Sequence, residues 1–184
     1  MRFQPGKIIE VFTAKNGEKV YLRYPKWEDW KQLLRFINSL IEEKAKISKI
    51  KRVRKKEEIE YIKKVLEECE KGERVQILAE VNKKIVGSCE IKKSKSEVNQ
   101  HIGNLGVSVL KGYRGIGIGK KLLQTCMEKA KEIGIEIVTL DVYADNERAI
   151  KIYKKLGFKE FGRLKRGIKR EGKYIDNIQM YKEL

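Results

Sequence analysis

The chain has 184 residues, of which 41% are hydrophobic and 38% charged, and its formal net charge is +17 at pH 7. This length fits one domain with a proper core, and the composition argues against a membrane protein and against disorder. No apolar run approaches the length of a bilayer span, and the N-terminus shows no signal peptide, so we expect a cytoplasmic protein without a membrane partner. The positive charge favours anionic partners such as nucleic acid. A lysine- and glutamate-rich surface of the heat-adapted kind explains it equally well.

The cysteines and the histidine give no sign of a metal or disulfide framework. Cys69, Cys89 and Cys126 are an odd number at unrelated spacings, and His101 is the single histidine. No C-x-x-C pair is present, so neither a disulfide frame nor a zinc site is credible. All three cysteines fall at apolar positions of their segments, and we expect them to be packing residues.

The first part of the chain predicts a hairpin followed by two helices. Lys7–Thr13 and Glu18–Tyr24 are β-branched and alternating, and an Asn-Gly pair lies in the turn between them. Trp27–Leu40 and Glu57–Glu70 each carry an apolar stripe at helical spacing. A lysine- and arginine-rich stretch joins these two helices.

The rest of the chain predicts strands that alternate with two more helices. Ile135–Tyr143 is apolar on both faces and is therefore a central strand. A short helix capped by Asp145 or Asn146 follows it. The other predicted strands are Val75–Val81, Ile85–Lys92, His101–Leu110, Phe158–Ile168 and Lys173–Tyr181. The pattern is that of one α+β domain, with a mixed, mostly antiparallel sheet and helices on both faces.

The segment after the strand His101–Leu110 is the most informative part of the sequence. Gly115, Gly117 and Gly119 alternate, and an amphipathic helix begins immediately after them. A strand, a glycine loop and a helix in this order direct backbone N–H groups of the helix N-terminus outward, where they attract an anion. Glycine also lets a ligand approach the backbone closely. Because Arg114 adds a cationic side chain at the rim, the loop is predicted to bind phosphate.

Of three other interpretations of the glycine loop, the sequence excludes one and leaves two open. A Walker loop is excluded, because it needs glycine at position 114 and a hydroxyl at position 121, which are Arg114 and Lys121. The dinucleotide fingerprint fails by one residue at Lys120, but Asp141 lies near the end of the next strand, where a ribose ligand would be wanted. A dinucleotide site is therefore an alternative, and a tight turn with no ligand is another.

At this point the sequence resembles a known family. Arg114-x-x-Gly117-x-Gly119 resembles the Q/R-x-x-G-x-G/A pyrophosphate signature of the GNAT superfamily of acyl-CoA-dependent N-acetyltransferases. The stretch from Asn146 to Phe158, Asn-x-x-Ala-x-x-x-Tyr-x-x-x-Gly-Phe, resembles the second half of that signature. The resemblance implies one GNAT-like domain over residues 1–184. It also implies an enzyme that transfers acetyl directly from acetyl-CoA to a primary amine.

The resemblance and the residues together predict how acetyl-CoA is bound. The loop backbone would hold the pyrophosphate, and the Val107–Val109 strand would hydrogen-bond the pantetheine arm as an added strand does. A backbone N–H of the same strand would serve the thioester oxygen. The residues expected to bind acetyl-CoA are Val107, Ser108, Val109, Arg114, Gly115, Gly117, Ile118, Gly119, Lys120, Asn146 and Tyr153.

The resemblance assigns the general acid more clearly than the base. It places Tyr153 as the acid that protonates the departing thiolate, whereas periodicity alone favours a core tyrosine. Many family members carry a glutamate on the strand before the loop, but this strand holds no acid. The candidates for the base are Glu90, His101 and Asp176, of which we rank Glu90 first.

The acceptor is the least constrained part of the prediction. The resemblance implies that the segment after the first long helix borders the acceptor, so Glu42 or Glu43 would contact a cationic amine; a solvated acid pair is the alternative. The closing segment 162–176 resembles the corresponding segment in one branch of the GNAT superfamily, which includes ribosomal-protein, amino-acid and small-amine acetyltransferases. A non-catalytic module that binds CoA or nucleotide and docks on RNA or ribosomes is the second hypothesis. The sequence does not decide whether the protein forms a homodimer, and it contains no motif typical of nucleic-acid binding.

Overall fold

The computed structural model describes residues 3–184 as eight β-strands and four α-helices. The strands are β1 (Ile8–Thr13), β2 (Lys19–Arg23), β3 (Arg74–Val81), β4 (Lys84–Lys93), β5 (Ile102–Val109), β6 (Ile137–Tyr143), β7 (Lys159–Arg170) and β8 (Lys173–Glu183). The helices are α1 (Trp30–Glu42), α2 (Lys55–Glu70), α3 (Ile118–Glu132) and α4 (Glu147–Lys155).

All strands belong to one sheet in the order β1-β2-β3-β4-β5-β6-β8-β7. Each neighbouring pair is antiparallel except β5 and β6, which run parallel. The chain crosses from β5 to β6 through α3, as parallel strands require a long connection. The prediction of an α+β domain with a mixed, mostly antiparallel sheet is confirmed.

The predicted boundaries differ from the observed ones by a few residues, for local reasons. Helix α2 begins at Lys55, two residues earlier than expected, and the backbone N–H of Arg54 donates to the Glu57 carboxylate at 2.8 Å. The first helix starts with a 3-10 turn over Trp27–Asp29 before α1 begins. In the closing hairpin of β7 and β8, β7 starts one residue later than predicted and ends two residues later, at Arg170, because it pairs with β8 up to the turn. Strand β8 ends two residues later, at Glu183, because it pairs there with β6.

Helices cover both faces of the sheet, which forms two hydrophobic cores. On one face, α3 places Ile118, Leu122 and Cys126 against the central strands, and each of these side chains is fully buried. On the other face, α1 and α2 pack with Leu40 and Ile62 on β3 and β4. The prediction of helices on both faces is therefore confirmed, and the three cysteines are buried as expected.

The parallel pair β5 and β6 stays together over only three residues. Its ladder runs from Ile102 opposite Ile137 to Asn104 opposite Thr139 and then ends. Beyond this point β5 continues to pair with β4, and β6 continues to pair with β8. The two strands therefore part in the middle of the sheet, and a gap opens beside Val107–Val109.

Gly103 allows this last paired section of β5 and β6 to pack closely. A Cβ at Gly103 would lie 2.5 Å from Cγ2 of Ile91 and 3.0 Å from Cδ1 of Ile135. We expect Gly103→Ala to lower the free energy of unfolding by about 1–3 kcal/mol, because a well-packed core resists added volume. Urea denaturation measures the change.

Gly112→Ala is the matched control for this substitution. No heavy atom lies within 4 Å of the Cβ position at Gly112, and its φ is not positive. We expect its unfolding free energy to change by less than about 0.5 kcal/mol, as for other open surface positions. Equal effects of the two substitutions would contradict the packing role of Gly103.

Candidate active site

The gap between β5 and β6 lies at the centre of the candidate site. Val107, Ser108 and Val109 pair on one side with Cys89, Ser88 and Gly87 of β4, and no strand within residues 3–184 pairs with their other side. Backbone polar groups at such an edge need a hydrogen-bond partner when they are covered. An extended, amide-containing chain can supply that partner in the way an added strand does.

The glycine loop lies at one end of the gap and forms the N-terminus of α3. Gly115 and Gly117 have φ values of 90° and 101°, a region that favours glycine. Gly117 is the N-cap, and no side chain caps the helix. The first N–H groups of α3, from Ile118 to Lys120, are therefore free to bind an anion. The predicted order of strand, glycine loop and helix is confirmed.

Arg114 does not point into the loop in this structure. Its Nε donates to the Val109 carbonyl at 2.7 Å, and its guanidinium pairs with Glu43 at the end of α1. Glu43 also accepts a hydrogen bond from the backbone of Lys111 at 3.1 Å. Partial burial and the nearby charge of Arg148 lower the pKa of Arg114. The roles of Arg114 at a pyrophosphate and of Glu43 at an amine stay predictions.

Arg148 is a functional candidate that sequence reasoning missed. It lies in the first turn of α4, and its Nη2 is 3.0 Å from the Cβ position at Gly115. A shallow depression of about 580 Å³ runs from it along α4, lined also by Asn146 and Lys151. The charge of Arg148 lowers the pKa of Arg114, so two guanidinium groups act on each other beside the loop. An anion between them would relieve this repulsion.

Asn146 and Tyr153 occupy the two ends of α4. Asn146 caps the helix, and its side chain accepts a hydrogen bond from the Ala149 backbone at 3.5 Å, which confirms the capping prediction. Tyr153 is 7% exposed and packs edge-to-face on Phe158, with the ring centroids 5.7 Å apart. Burial, with a smaller contribution from Cys89, raises the pKa of Tyr153 well above its usual value. Tyr153 belongs to the same hydrophobic core as Cys89, and Val107, which pairs with Cys89, packs against that core.

Glu90 lies on the opposite face of the sheet from Tyr153. It pairs with Gly106, and its Oε1 is 3.5 Å from the Cβ position of that glycine. Its Oε2 is 3.3 Å from the Tyr61 hydroxyl and 3.2 Å from Nη1 of Arg74. The carboxylate therefore occupies the space above β5 where a longer side chain at position 106 would lie.

Asp141 is a second carboxylate on this face, and it was predicted only as a ribose ligand in the dinucleotide alternative. It lies two residues after Thr139 on β6, as Gly106 lies two residues after Asn104 on β5, so both positions come just beyond the point where the strands part. The amides of Asn177 and Gln179 approach one of its oxygens at 2.7 and 3.4 Å. The facing β8 residues that orient it could not be identified from local sequence.

The other predicted candidates lie away from the gap or in surface contacts. Glu42 is exposed and 3.5 Å from Arg52. His101 precedes β5, about 20 Å of extended chain from Val107. The Asp176 carboxylate accepts a hydrogen bond from the Arg166 backbone at 2.9 Å within the closing hairpin.

Residues 43–47, between α1 and α2, form a strap that crosses the gap on the face of the sheet that carries Glu90 and Asp141. The Tyr143 hydroxyl, at the end of β6, donates to the Ile47 carbonyl at 3.1 Å. Lys46 lies 3.0 Å from the Asp145 carboxylate, and Arg170 donates to the Ala45 carbonyl at 2.6 Å. The strap is therefore tied to the end of β6, to the residues before α4 and to the closing hairpin.

Fold and site together define an acyltransferase-like α+β domain with a glycine loop at the N-terminus of α3 beside two parted strands. The chain belongs to the Acetyltransferase (GNAT) family, whose model matches residues 27–158. Members of this family transfer acetyl from acetyl-CoA to an amine. The recognition made from the two sequence motifs is thereby confirmed.

Individual relatives agree with the family assignment. The L-amino acid N-acetyltransferase AaaT of Escherichia coli is 28% identical over 106 residues, which are 57% of this chain and 65% of that protein. This chain therefore spans slightly less than two thirds of that relative. A GNAT acetyltransferase structure from Streptococcus pneumoniae matches with a TM-score of 0.81 and 27% identity, over 90% of this chain and 99% of that one. The ribosomal-protein-alanine N-acetyltransferase of Brucella melitensis gives a TM-score of 0.78 and 27% identity, over 89% and 99%.

Across residues 3–184, no helix is both long and apolar enough to span a bilayer. The same part of the chain contains no cluster of three or more histidine, cysteine, aspartate or glutamate side chains that could hold a metal ion.

The position of Arg148 predicts a contribution to acetyl-CoA binding. We expect Arg148→Gln to weaken the affinity about three- to tenfold at low salt, because a charge-assisted contact to phosphate is lost. The difference should shrink at high salt. Titration calorimetry measures both values.

Lys154→Gln is the matched control, since it removes the same charge from an exposed position of α4 that does not line the depression. Its affinity should stay within about twofold of the parent, as expected for a screened surface charge. Equal losses in the two variants would mean that Arg148 acts only through net charge.

Proposed function

We propose that this protein is an acetyl-CoA-dependent N-acetyltransferase. It transfers acetyl directly to the primary amine of a protein N-terminus, an amino acid or a small amine. The observation that supports this most is the parting of β5 and β6 beside the uncapped N-terminus of α3. One end of this site suits a diphosphate and the other an acyl group with an attacking amine.

The loop and the free edge of β5 would hold acetyl-CoA. The N–H groups from Gly115 to Lys120 suit the pyrophosphate, and Arg148 adds a charge beside Gly115. The unpaired side of Val107–Val109 suits the amides of the pantetheine arm. When bound, acetyl-CoA supplies the activated thioester, and a β5 N–H directed at its carbonyl oxygen would favour attack.

Tyr153 is suited to act as the general acid. A tyrosine hydroxyl with a pKa of about 10 or more keeps its proton at neutral pH and can give it to a departing thiolate. Burial raises the pKa of the Tyr153 hydroxyl further, so the neutral form is favoured even more. No hydrogen bond from the hydroxyl to another residue between 3 and 184 competes for the proton. Core packing and proton donation are compatible for this side chain.

The carboxylates of Glu90 and Asp141 are suited to receive the amine on the other face of the sheet. We assign Glu90 as the base and Asp141 as the group that positions the ammonium form. An α-amino group with a pKa near 8 is about one tenth free base at pH 7, so a nearby proton acceptor is useful. The two carboxylates also create a locally negative site in a strongly cationic protein.

An acceptor panel tests the proposed activity directly. We expect release of free thiol from acetyl-CoA only when a suitable amine is present, measured across peptides, amino acids and small amines. Calorimetry with acetyl-CoA and with NAD separates this proposal from the dinucleotide alternative. Binding of NAD but not acetyl-CoA would overturn it.

The acid role of Tyr153 predicts a loss of turnover without a loss of binding. We expect Tyr153→Phe to lower kcat at least about tenfold, because general acid catalysis contributes about 10²–10⁴-fold in enzymes. The Kd for acetyl-CoA should change less than about twofold, because the ring still packs on Phe158. Tyr21→Phe on β2 controls for loss of a remote hydroxyl. Unchanged turnover would remove the acid role.

The two carboxylates predict different kinetic effects. We expect Glu90→Gln to lower kcat at pH 7 at least about tenfold. The deficit should shrink as the pH rises past the pKa of the amine, since free base becomes abundant. Asp141→Asn should mainly raise KM for the acceptor. Glu128→Gln, at an exposed site on α3, is the control. The reverse pattern would make Asp141 the base.

A further inference from the structure

The positive charge of this protein is concentrated in two short segments. Residues 44–56 contain eight lysines and arginines and no acid, and residues 163–174 contain six and a single acid, Glu171. These twenty-five residues therefore carry thirteen of the seventeen net charges. A heat-adapted surface would distribute mixed charges broadly, so the concentration requires a different explanation.

The two segments lie next to each other in the fold. Arg170 donates to the Ala45 carbonyl at 2.6 Å, and Lys44 pairs with Glu171 at 3.0 Å. We call residues 44–56 and 163–174 together the basic rim. It includes residues 44–47 of the strap and extends along the closing hairpin. Coenzyme A alone does not account for it.

Some lysines of the rim have no carboxylate partner among residues 3–184. Lys51, Lys165 and Lys173 are exposed, and no carboxylate of residues 3–184 lies within 4.0 Å of them. The neighbouring residues 57–70 of α2 carry six glutamates and two lysines, so a mixed surface begins directly beside the rim. Glutamates are therefore abundant next to the rim, but none of them pairs with these three lysines in the fold.

The apolar groups of the rim do not form a continuous hydrophobic face. Arg166 and Lys169 stack on Tyr174 at 4.2 and 5.4 Å from its centroid. Leu164 folds back over Gly167, 3.1 Å from the Cβ position there. A bilayer would need a wider apolar surface to insert, and a second copy of this chain would bring like charge against like charge.

We propose that the basic rim docks the phosphate backbone of a nucleic acid. Phosphates at regular spacing match a surface with many exposed cations and a single acid, and binding releases counterions without base-specific contacts. A short acidic peptide would leave most of the rim unneutralised. The inference does not depend on acetyl transfer. If the proposed function also holds, the acceptor amine belongs to a nucleic-acid-containing particle.

The test measures binding of a fluorescent single-stranded RNA of about 20 nucleotides to the full chain by anisotropy, over a salt series. DNA of the same sequence, single- and double-stranded, is titrated in parallel. The first variant reverses Lys165, Lys169 and Lys173 to glutamate, and the control reverses the exposed Lys15, Lys71 and Lys95. Both variants lower the net charge by six.

We expect the rim variant to bind at least about tenfold more weakly and its salt slope to fall by about two, as for three lost contacts to a single strand. The control should stay within about threefold of the parent. A second variant, Lys51→Glu with Lys56→Glu, tests the other segment if the hairpin variant melts early. Equal weakening by the control would overturn the proposal, because the charge would then act without a defined surface.

Two further arms decide between ligands. Rim-dependent binding of RNA and DNA alike supports phosphate recognition, and tighter RNA binding supports it while identifying the natural ligand class. No nucleic-acid binding at about 50 mM salt, where backbone contacts are strong, would overturn it. Rim-dependent binding of polyglutamate or of phosphatidylserine vesicles in its place would overturn it too. Acetyl-CoA binding, measured separately, shows whether the proposed function stands or fails independently.

Discussion

The separation of β5 from β6 is the constraint on which the rest of the site depends. A parallel pair inside a sheet would normally satisfy its backbone groups along its whole length. Here the ladder ends after Asn104 and Thr139, while the outer neighbours β4 and β8 keep each strand in place. The sheet is therefore held open by pairing on both sides of the gap. The exposed edge of β5 is rigid, so a ligand finds its hydrogen-bonding groups already arranged and loses little entropy in ordering them.

The gap also divides the chemistry between the two faces of the sheet. Tyr153 lies on the face that α3 and α4 cover, in an apolar environment that favours the neutral phenol. Glu90 and Asp141 lie on the face that the strap covers, beside the polar side chains of Tyr61 and Asn177. A proton donor and a proton acceptor with such different surroundings can act on one reaction centre without neutralising each other, because the sheet separates them.

The parts of the site that follow a local pattern along the chain could be predicted from the sequence. Alternating glycines before an apolar stripe predicted the loop and α3, and the asparagine at position 146 predicted the cap of α4. Contacts between distant segments could not be predicted. Arg148 reaches Gly115, and Arg114 pairs with Glu43 across seventy-one positions, so neither contact leaves a periodic trace. Asp141 was similarly concealed, because a single acid in an apolar strand shows neither its face nor its neighbours.

The spatial arrangement of the positive charge also could not be predicted from the sequence. The value of +17 fits a uniform basic surface and a localised one equally well, and only the fold brings residues 44–56 against residues 163–174. This placement resolves an apparent conflict between a cationic protein and a cationic acceptor. Charges on an exposed rim are screened within about 10 Å at 0.1 M salt, whereas Glu90 and Asp141 lie at the gap itself. In the proposed function an amine would meet these two carboxylates at short range, while the proposed rim would attract a much larger anionic partner from further away.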